Sequence, residues 1–472
     1  MKTFLRSSSV AVVTLVLAGC AAVNFDQALQ DTNSGTGNFT QGKLELSRTE
    51  QQSQARSKLS SELLGQPLGQ DEAVQLALAN SPAVQTLLAQ SWADLAVANQ
   101  TGRIANPVFS FERIRFADEL EIGRLLSFGL LDLLTLPRRL EISRSQTAQA
   151  KIQLGANVVE QVTQVRQAWV RAVAAQQNLQ YAEQINATAK ASAELAKRMQ
   201  QVGNFTKLQR ARQQSFYADS AARLASSQHA STAAREELIR LLGLTDEQSA
   251  LLKLPERLPD LPKEAKPAGT INAAALQQRL DVQLARNQLD IAGKSQGLNL
   301  LNSLVDVELG IRRDTVFDND RRTSTPRRGF ELDIRLPIFD WGSAQRASMN
   351  AQSLAAASRY ESTVRGATSQ LRESYSAYRT AYDVARHYRD EIVPLRKTMA
   401  EENLLRYNGM LIGVFELLAD TRDQISSVQA AINAYQQYWL ADAALSASMT
   451  GKPTAMGAVS TGSGNAAAEA GH

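Results

Sequence analysis

Four short stretches of this chain alternate apolar and polar residues, and between them run helical patterns more than 60 residues long. Val305, Val307, Leu309 and Ile311 alternate with Asp306 and Glu308; Phe330, Leu332, Ile334 and Leu336 alternate with Glu331, Asp333 and Arg335. Phe109 and Phe111 alternate with Ser110 and Glu112, and Leu120 and Ile122 with Glu119 and Glu121, until Arg124 breaks the apolar series. Period two sends one set to each face of a strand. An apolar face opposite a charged one fits lipid on one side and a wet lumen on the other. A surface sheet packed on a helix is the plainer alternative. The stretches Arg113–Asp118 and Arg312–Arg328 read as outer loops; the second carries Arg312, Arg313, Arg321, Arg322, Arg327 and Arg328.

The helical pattern occurs twice, offset by roughly 200 residues, as an internal duplication would give. An amphipathic helix opens each half, over Asp71–Gly102 and Ile271–Leu300. After the strands come long runs rich in Ala, Gln, Glu, Arg and Leu, over Arg138–Met199 and Gly342–Arg406. Each would rise about 90 Å as one helix, more than a compact domain can use. Pro394 is positioned to bend the second. Breaks at Gly203 and Gly409 precede closing helices over Lys207–Leu242 and Val414–Ser448, giving two helical hairpins in which the glycines let the backbone turn. Pro255, Pro259, Pro262 and Pro267 keep the joint, residues 253–270, out of helix and central strand. Residues Gln27–Gln66 are polar without a clean period, and the Gly-, Ala- and Ser-rich tail 449–472 reads as disordered.

Strands of eight to ten residues are long enough to cross a bilayer when tilted. Four of them cannot close a barrel of useful bore, and open edges are not tolerated in lipid. The expected fold is therefore mainly α with a transmembrane β-barrel portion. Each copy gives four strands to a shared barrel, and three copies make twelve.

Composition narrows the setting. Lys2 and Arg6, the apolar run from Val10 to Leu17, and then Ala18, Gly19 and Cys20 have the layout of a secretory signal ending in the chain's one cysteine. That cysteine excludes intramolecular disulfides and multi-cysteine metal sites. The net charge of +4 includes Lys2 and Arg6, so the processed chain is nearly neutral and carries no basic stripe for nucleic acid. His229, His387 and His472 are far apart, no acid has metal-ligand spacing, and no glycine loop suits phosphate. No enzyme, metal or resident cofactor is expected.

Leu17-Ala18-Gly19-Cys20 resembles the lipobox of bacterial lipoproteins, which implies a covalent lipid at Cys20. With Ala77-Leu78-Ala79-Asn80-Ser81-Pro82, Leu336-Pro337-Ile338-Phe339-Asp340-Trp341-Gly342, Arg406-Tyr407-Asn408-Gly409 and Gly413–Ala419, the chain resembles outer-membrane efflux proteins of the TolC family, in their lipid-anchored branch. The resemblance covers about Gly69–Ser448. It implies a homotrimer in the outer membrane with a twelve-stranded barrel and a periplasmic α-barrel. It further implies docking to a periplasmic membrane-fusion adaptor and, through it, to a proton-driven inner-membrane pump. Ala21 after the cysteine, where aspartate would mean inner-membrane retention, fits an outer-membrane address.

The domains so implied are a lipoprotein signal (1–19), a lipid-anchored extended segment running around the helical barrel (20–68), a first repeat (69–252), a Pro-rich linker (253–270), a second repeat (271–448) and a tail (449–472). The strand-to-helix corner is Pro337, Phe339, Trp341 and Gly342. Adaptor contacts would fall at the hairpin tips, at Val202, Gly203 and Asn204 and at Tyr407, Asn408, Gly409 and Met410. The entrance acids would be Glu416 and Asp420, four apart and hence on one helical face, with Asp423 as a rival. Surface acids paired with Arg422 are the plain reading of the same residues. Arg406 would tie a closed tip to its neighbour or stand as a surface arginine. The expected function is a passive conduit for drugs or metal ions in a tripartite efflux system. An outlet of type I protein secretion and a lipid-anchored periplasmic coiled-coil scaffold or adhesin remain alternatives.

Overall fold

The computed structural model describes residues 24–117, 119–267, 276–302, 306–318, 321–336, 338–339 and 341–452. The signal run, Cys20, Pro337, Asp340, the start of the second repeat at 271–275 and the tail from 453 lie outside them.

The helices are α1 Phe25–Thr40, α2 Glu50–Leu64, α3 Gln70–Asn80, α4 Pro82–Gln100, α5 Leu130–Gln201, α6 Lys207–Leu242, α7 Asp246–Leu251, α8 Leu280–Asn302, α9 Ser343–His387, α10 Val393–Asn408 and α11 Val414–Thr450; a π-helical turn, Tyr388–Ile392, joins α9 to α10. The strands are β1 Val108–Phe116, β2 Glu119–Gly129, β3 Asp306–Asp318 and β4 Thr323–Arg335. The fold is mainly helical with one four-stranded antiparallel sheet, as expected. The described residues divide into two compact units. One takes the described residues within Met1–Ser34, Leu87–Gly155 and Leu280–Gly366; the other takes those within Gly35–Thr86, Ala156–Arg279 and Ala367–His472. Both repeats contribute to each unit.

The first unit holds the sheet, in the order β1-β2-β3-β4. Its ladders run from Val108↔Ser127 to Phe116↔Glu119, from Glu119↔Asp318 to Gly129↔Glu308, and from Asp306↔Arg335 to Asp318↔Thr323. These pairings correct the expected loops. Arg113–Phe116 belong to β1, Arg312–Asp318 to β3 and Thr323–Arg328 to β4. A residue's own polarity does not end a strand; the backbone keeps pairing as long as its neighbour does. In the same unit short polar ties join α5 to the end of α4 and to α8. Ser143 Oγ donates to Ala98 O at 2.8 Å, and Arg139 donates to the carbonyls of Thr101 and Arg103. Ser145, Asp290 and Lys294 form a closed triangle with edges of 2.6–2.8 Å. The neighbouring ammonium holds the Asp290 carboxyl below its ordinary pKa.

In the second unit, the predicted first helix is two. It breaks at Ser81, because Pro82 has no N–H to continue α3 and takes the N1 position where none is needed. Asn80 Nδ2 donates to Leu242 O (3.2 Å) and Gly243 O (2.9 Å), satisfying carbonyls at the end of α6. Gly243 is left-handed (φ 67), and a Cβ there would lie 2.4 Å from Pro82 Cδ. The Asn80-Ser81-Pro82 motif is thus a clasp on the end of α6. The polar stretch 27–66, read as extended, carries α1 and α2; Thr49 and Gln52 close a capping box on α2, worth about 1 kcal/mol.

Residues 252–267 are neither helix nor strand and lie along α9 and α11. Tyr382 Oη donates to Pro262 O (3.1 Å) and Lys263 O (2.9 Å), Tyr375 Oη to Lys266 O (3.1 Å), and Trp439 Nε1 to Pro259 O (3.1 Å). Lys266 N donates to Tyr378 Oη (3.0 Å). Below these bonds Tyr378, Tyr382 and Tyr438 pack ring on ring with Leu261 and Leu445. Phenols suit this place because Tyr378 and Tyr382 each bury a ring while the hydroxyl serves a linker amide or carbonyl that prolines leave without regular partners. The π turn immediately precedes Val393-Pro394, so the helix continues through Pro394.

Candidate functional site: hairpin tips, entrance acids and a two-faced sheet

The first tip is built by glycine. Asn204 N donates to Met199 O (2.9 Å) and Gly203 N to Gln200 O (3.1 Å), a Schellman closure of α5 with Gly203 at φ 81. Thr206 and Gln209 then cap α6 reciprocally. The second tip makes the same closure one residue later than expected. Leu411 N donates to Arg406 O (2.8 Å) and Met410 N to Tyr407 O (2.9 Å), and the left-handed residue is Met410 (φ 59). Gly409 sits at φ −78, which any residue can adopt. The expectation that Gly409 supplies the turn is therefore corrected; the carbonyls of Arg406 and Tyr407 fix which residue must be left-handed. Val202, Met410 and Leu411 are strongly exposed and Tyr407 less so, which leaves both tips with apolar side chains in solvent. Asn204 and Asn408 are exposed beside them.

Glu416 lies exposed in the first turn of α11, and Asp420 follows one turn later, half-buried, with its Oδ2 shut from solvent and without a hydrogen-bond partner among the described residues. Arg422 pairs with neither. Its guanidinium carbon stands 4.1 Å from the centre of the Phe216 ring and its Nη2 is 3.4 Å from Gln213 Oε1. Asp423 meets Arg396 of α10 at 3.4 Å. Arg406 is exposed, with no acid at bridging distance among the described residues. A cleft of about 300 Å³ opens beside Arg422, lined by Phe216, Asp219, Ser220, Arg223 and Asp423. Among the described residues no group of three or more His, Cys, Asp or Glu is arranged to hold a metal ion.

The sheet has two unlike faces. Register and alternation place Ser110, Glu112, Gly123, Ser127, Gly310, Arg312, Asp314, Val316, Glu331 and Asp333 on one. Here Arg312 binds Asp314 (2.9 Å), Glu112 (3.3 Å) and Glu331 (3.6 Å), drawing β1, β3 and β4 together across β2. The crossing passes close over Gly123, where a Cβ would meet Asp314 Oδ1 at 3.3 Å, tighter than usual, and Glu112 and Arg312 at ordinary contact distance. The other face carries Phe109, Phe111, Leu126, Ile311, Phe330, Leu332 and Ile334, all 42–82 % exposed. Gly123, Ser127, Gly310, Asp314 and Val316 of the polar face are buried. Burial on the polar face is thus confined to β2 and β3, while the large apolar side chains of the other face stand open, inverted from a sheet in water.

At the corner after β4, Ile338 N donates to Leu336 O (2.9 Å), and Gly342 (φ 70) accepts from Arg346 N at the start of α9. Leu336, Ile338, Phe339 and Trp341 are all more than 60 % exposed, so this corner projects apolar groups outward. In the first repeat β2 passes into α5 with no intervening residue.

No family model matches the chain, and no curated protein sequence matches it. Solved structures do. The outer membrane channel CmeC of Campylobacter jejuni superposes with a TM-score of 0.69 at 16 % identity, over 87 % of this chain and 89 % of that one. The outer membrane protein VceC of Vibrio cholerae gives 0.67 at 16 %, over 81 % and 96 %. The outer membrane channel MtrE of Neisseria gonorrhoeae, in its open state, gives 0.63 at 19 %, over 81 % and 89 %. The chain has the fold of these outer-membrane proteins across most of its length.

Proposed function

We propose that this chain is one protomer of a homotrimeric outer-membrane channel of the TolC family, a passive conduit carrying small substrates out of the cell from a tripartite efflux complex. The supporting observation is the sheet whose large apolar side chains stand exposed on one face while the charged cluster around Arg312 gathers on the other. Its outer strands, β1 and β4, have unpaired edges, which lipid does not tolerate. Copies of the same sheet joined edge to edge remove every edge, and three give twelve strands around a lumen lined by the Arg312 cluster. No catalytic group is needed; the energy comes from partners.

The exposed apolar tips suit a periplasmic adaptor, and an inner-membrane pump acts through it. Three copies of Glu416 and Asp420 would set two acidic rings at the entrance, four residues apart on one helical face. Cys20, in its lipobox, takes a covalent lipid as a second tether to the outer membrane, with the helical portion in the periplasm. The test is conductance of the purified oligomer in planar bilayers. Discrete channel steps from trimers are expected; well-folded trimers that conduct nothing would overturn the reading.

A further inference from the structure

The apolar face of the sheet also bears five arginines. Arg113 and Arg115 stand on β1, Arg124 on β2, Arg313 on β3 and Arg328 on β4, all exposed. The β2–β3 register, continued between Ile122↔Thr315 and Leu125↔Arg312, sets Arg124 opposite Arg313, and Arg313 pairs with Arg328. Three guanidinium groups therefore share one row on adjacent strands, which lie about 4.8 Å apart. Phe111 holds the same row on β1, with Arg113 in the next row. Immediately to the other side lies the row Phe109, Leu126, Ile311 and Phe330. The basic row thus borders the apolar belt.

Arg312 and the arginines of the apolar face are placed differently, although Arg327 on the polar face is exposed like the latter. On the polar face Arg312 has three carboxylates. On the apolar face none of the five has an ion pair or side-chain hydrogen bond among the described residues. Like charges directly opposite on neighbouring strands repel, so the row calls for an anion from elsewhere. An anion reaching a row that edges a lipid-facing belt is a lipid headgroup, and a guanidinium matches a phosphate in a bidentate way. Arginine on the lipid side is tolerated near the interface and costly at mid-depth, so the row marks where hydrocarbon ends.

We infer that Arg124, Arg313 and Arg328, flanked by Arg113, form a binding row for the phosphates of anionic lipid, repeated in each protomer around the barrel. The inference rests on the channel reading for its setting. The probe is phosphatidylglycerol mixed with an equal amount of phosphatidylcholine, added to the purified, delipidated oligomer in detergent, with retained lipid counted by native mass spectrometry. The wild type should prefer phosphatidylglycerol by about tenfold or more. The triple variant Arg124→Gln, Arg313→Gln, Arg328→Gln should lose that preference, and the corresponding triple Lys variant should keep most of it. Arg327→Gln, on the polar face, should leave it unchanged. Absence of preference in the wild type, or its survival in the Gln variant, would overturn the inference. Inorganic phosphate that displaces the lipid completely at equal concentration would show a plain anion site and overturn it too. The Lys variant guards against misfolding of the Gln variant. Bilayer conductance of the same preparations reports separately on the channel reading.

Discussion

Arg312 Nη2 reaches Glu112 Oε2 at 3.3 Å across the whole width of β2, over Gly123, and so ties the two repeats together on the polar face of one sheet. The same guanidinium carries Asp314 and Glu331, so one cation is shared among three acids and the cluster keeps an excess of negative charge.

Replacing Arg312 with Gln should leave those three acids without their shared cation in the lumen, nine acids in a trimer. Cation preference should rise, by about twofold or more in permeability ratio. Reversal potentials under a salt gradient measure this. An unchanged or more anion-selective pore would place the cluster elsewhere than the lumen.

The two tip glycines should behave unlike each other. Gly203→Ala forces an alanine to φ 81 and should cost about 1–2 kcal/mol locally. Gly409→Ala keeps φ −78 and should cost no more than about 0.5 kcal/mol. Limited proteolysis of each tip, with rates compared to wild type, distinguishes them. Equal sensitivity of the two variants would contradict the assigned turns.

The clasp between the α3–α4 junction and the end of α6 should be intolerant at its contact point. Gly243→Ala meets both a left-handed backbone and Pro82 at 2.4 Å, so a loss of about 2 kcal/mol or more is expected in thermal unfolding. Asn80→Ala, which abandons two carbonyls at the end of α6, should lose about 1–3 kcal/mol. A Gly243→Ala protein as stable as wild type would mean that the clasp relaxes freely.

Tyr438 lies within the tyrosine cluster, where burial pushes its phenol pKa up from the ordinary 10.0. The folded state thus holds this proton more tightly than the unfolded chain does. Its contribution to stability is full below pH 10 and declines as pH rises above it. Unfolding midpoints should therefore be flat between pH 8 and about 9.5 and fall beyond 10, more gently in Tyr438→Phe. A steeper fall in the Phe variant would contradict the assignment.

The entrance acids separate by exposure. Glu416 is open to solvent, whereas one oxygen of Asp420 is enclosed without a partner among the described residues. Glu416→Gln, Asp420→Asn should lower cation selectivity; unchanged selectivity would remove these residues from the pore lining.

Helices were the legible part of the sequence. Lys207–Leu242 begins at a Thr206–Gln209 capping box and ends at Gly243, and its bounds were readable to the residue. The sheet was legible where alternation holds, at Phe109, Phe111, Leu309, Ile311 and Phe330, and illegible where it inverts. On β1 the apolar residues change sides after Glu112. Arg113 and Arg115 continue the face of Phe111, while Ile114 and Phe116 join that of Glu112. Such a strand reads as a loop, and only its partner β2 keeps it extended. The second tip failed for a similar reason: glycine marks a turn, but hydrogen bonding to Arg406 and Tyr407 carbonyls moved the left-handed residue to Met410. Asn80-Ser81-Pro82 was visible as a motif, and its purpose emerged only with Gly243, far away in sequence, packed against it.

The central claim is that β1 of one copy pairs with β4 of the next. The only native cysteine is Cys20, so engineered thiols report cleanly. A cysteine at Ser110 can be combined in turn with one at Thr325, Gly329 or Asp333, all on the polar face. Disulfides form only where Cα atoms approach within about 7 Å. At one of these combinations, oxidation of membranes should give a ladder ending at covalent trimers on a denaturing gel. Monomers at every combination, or products that stop at dimers, would contradict the shared barrel.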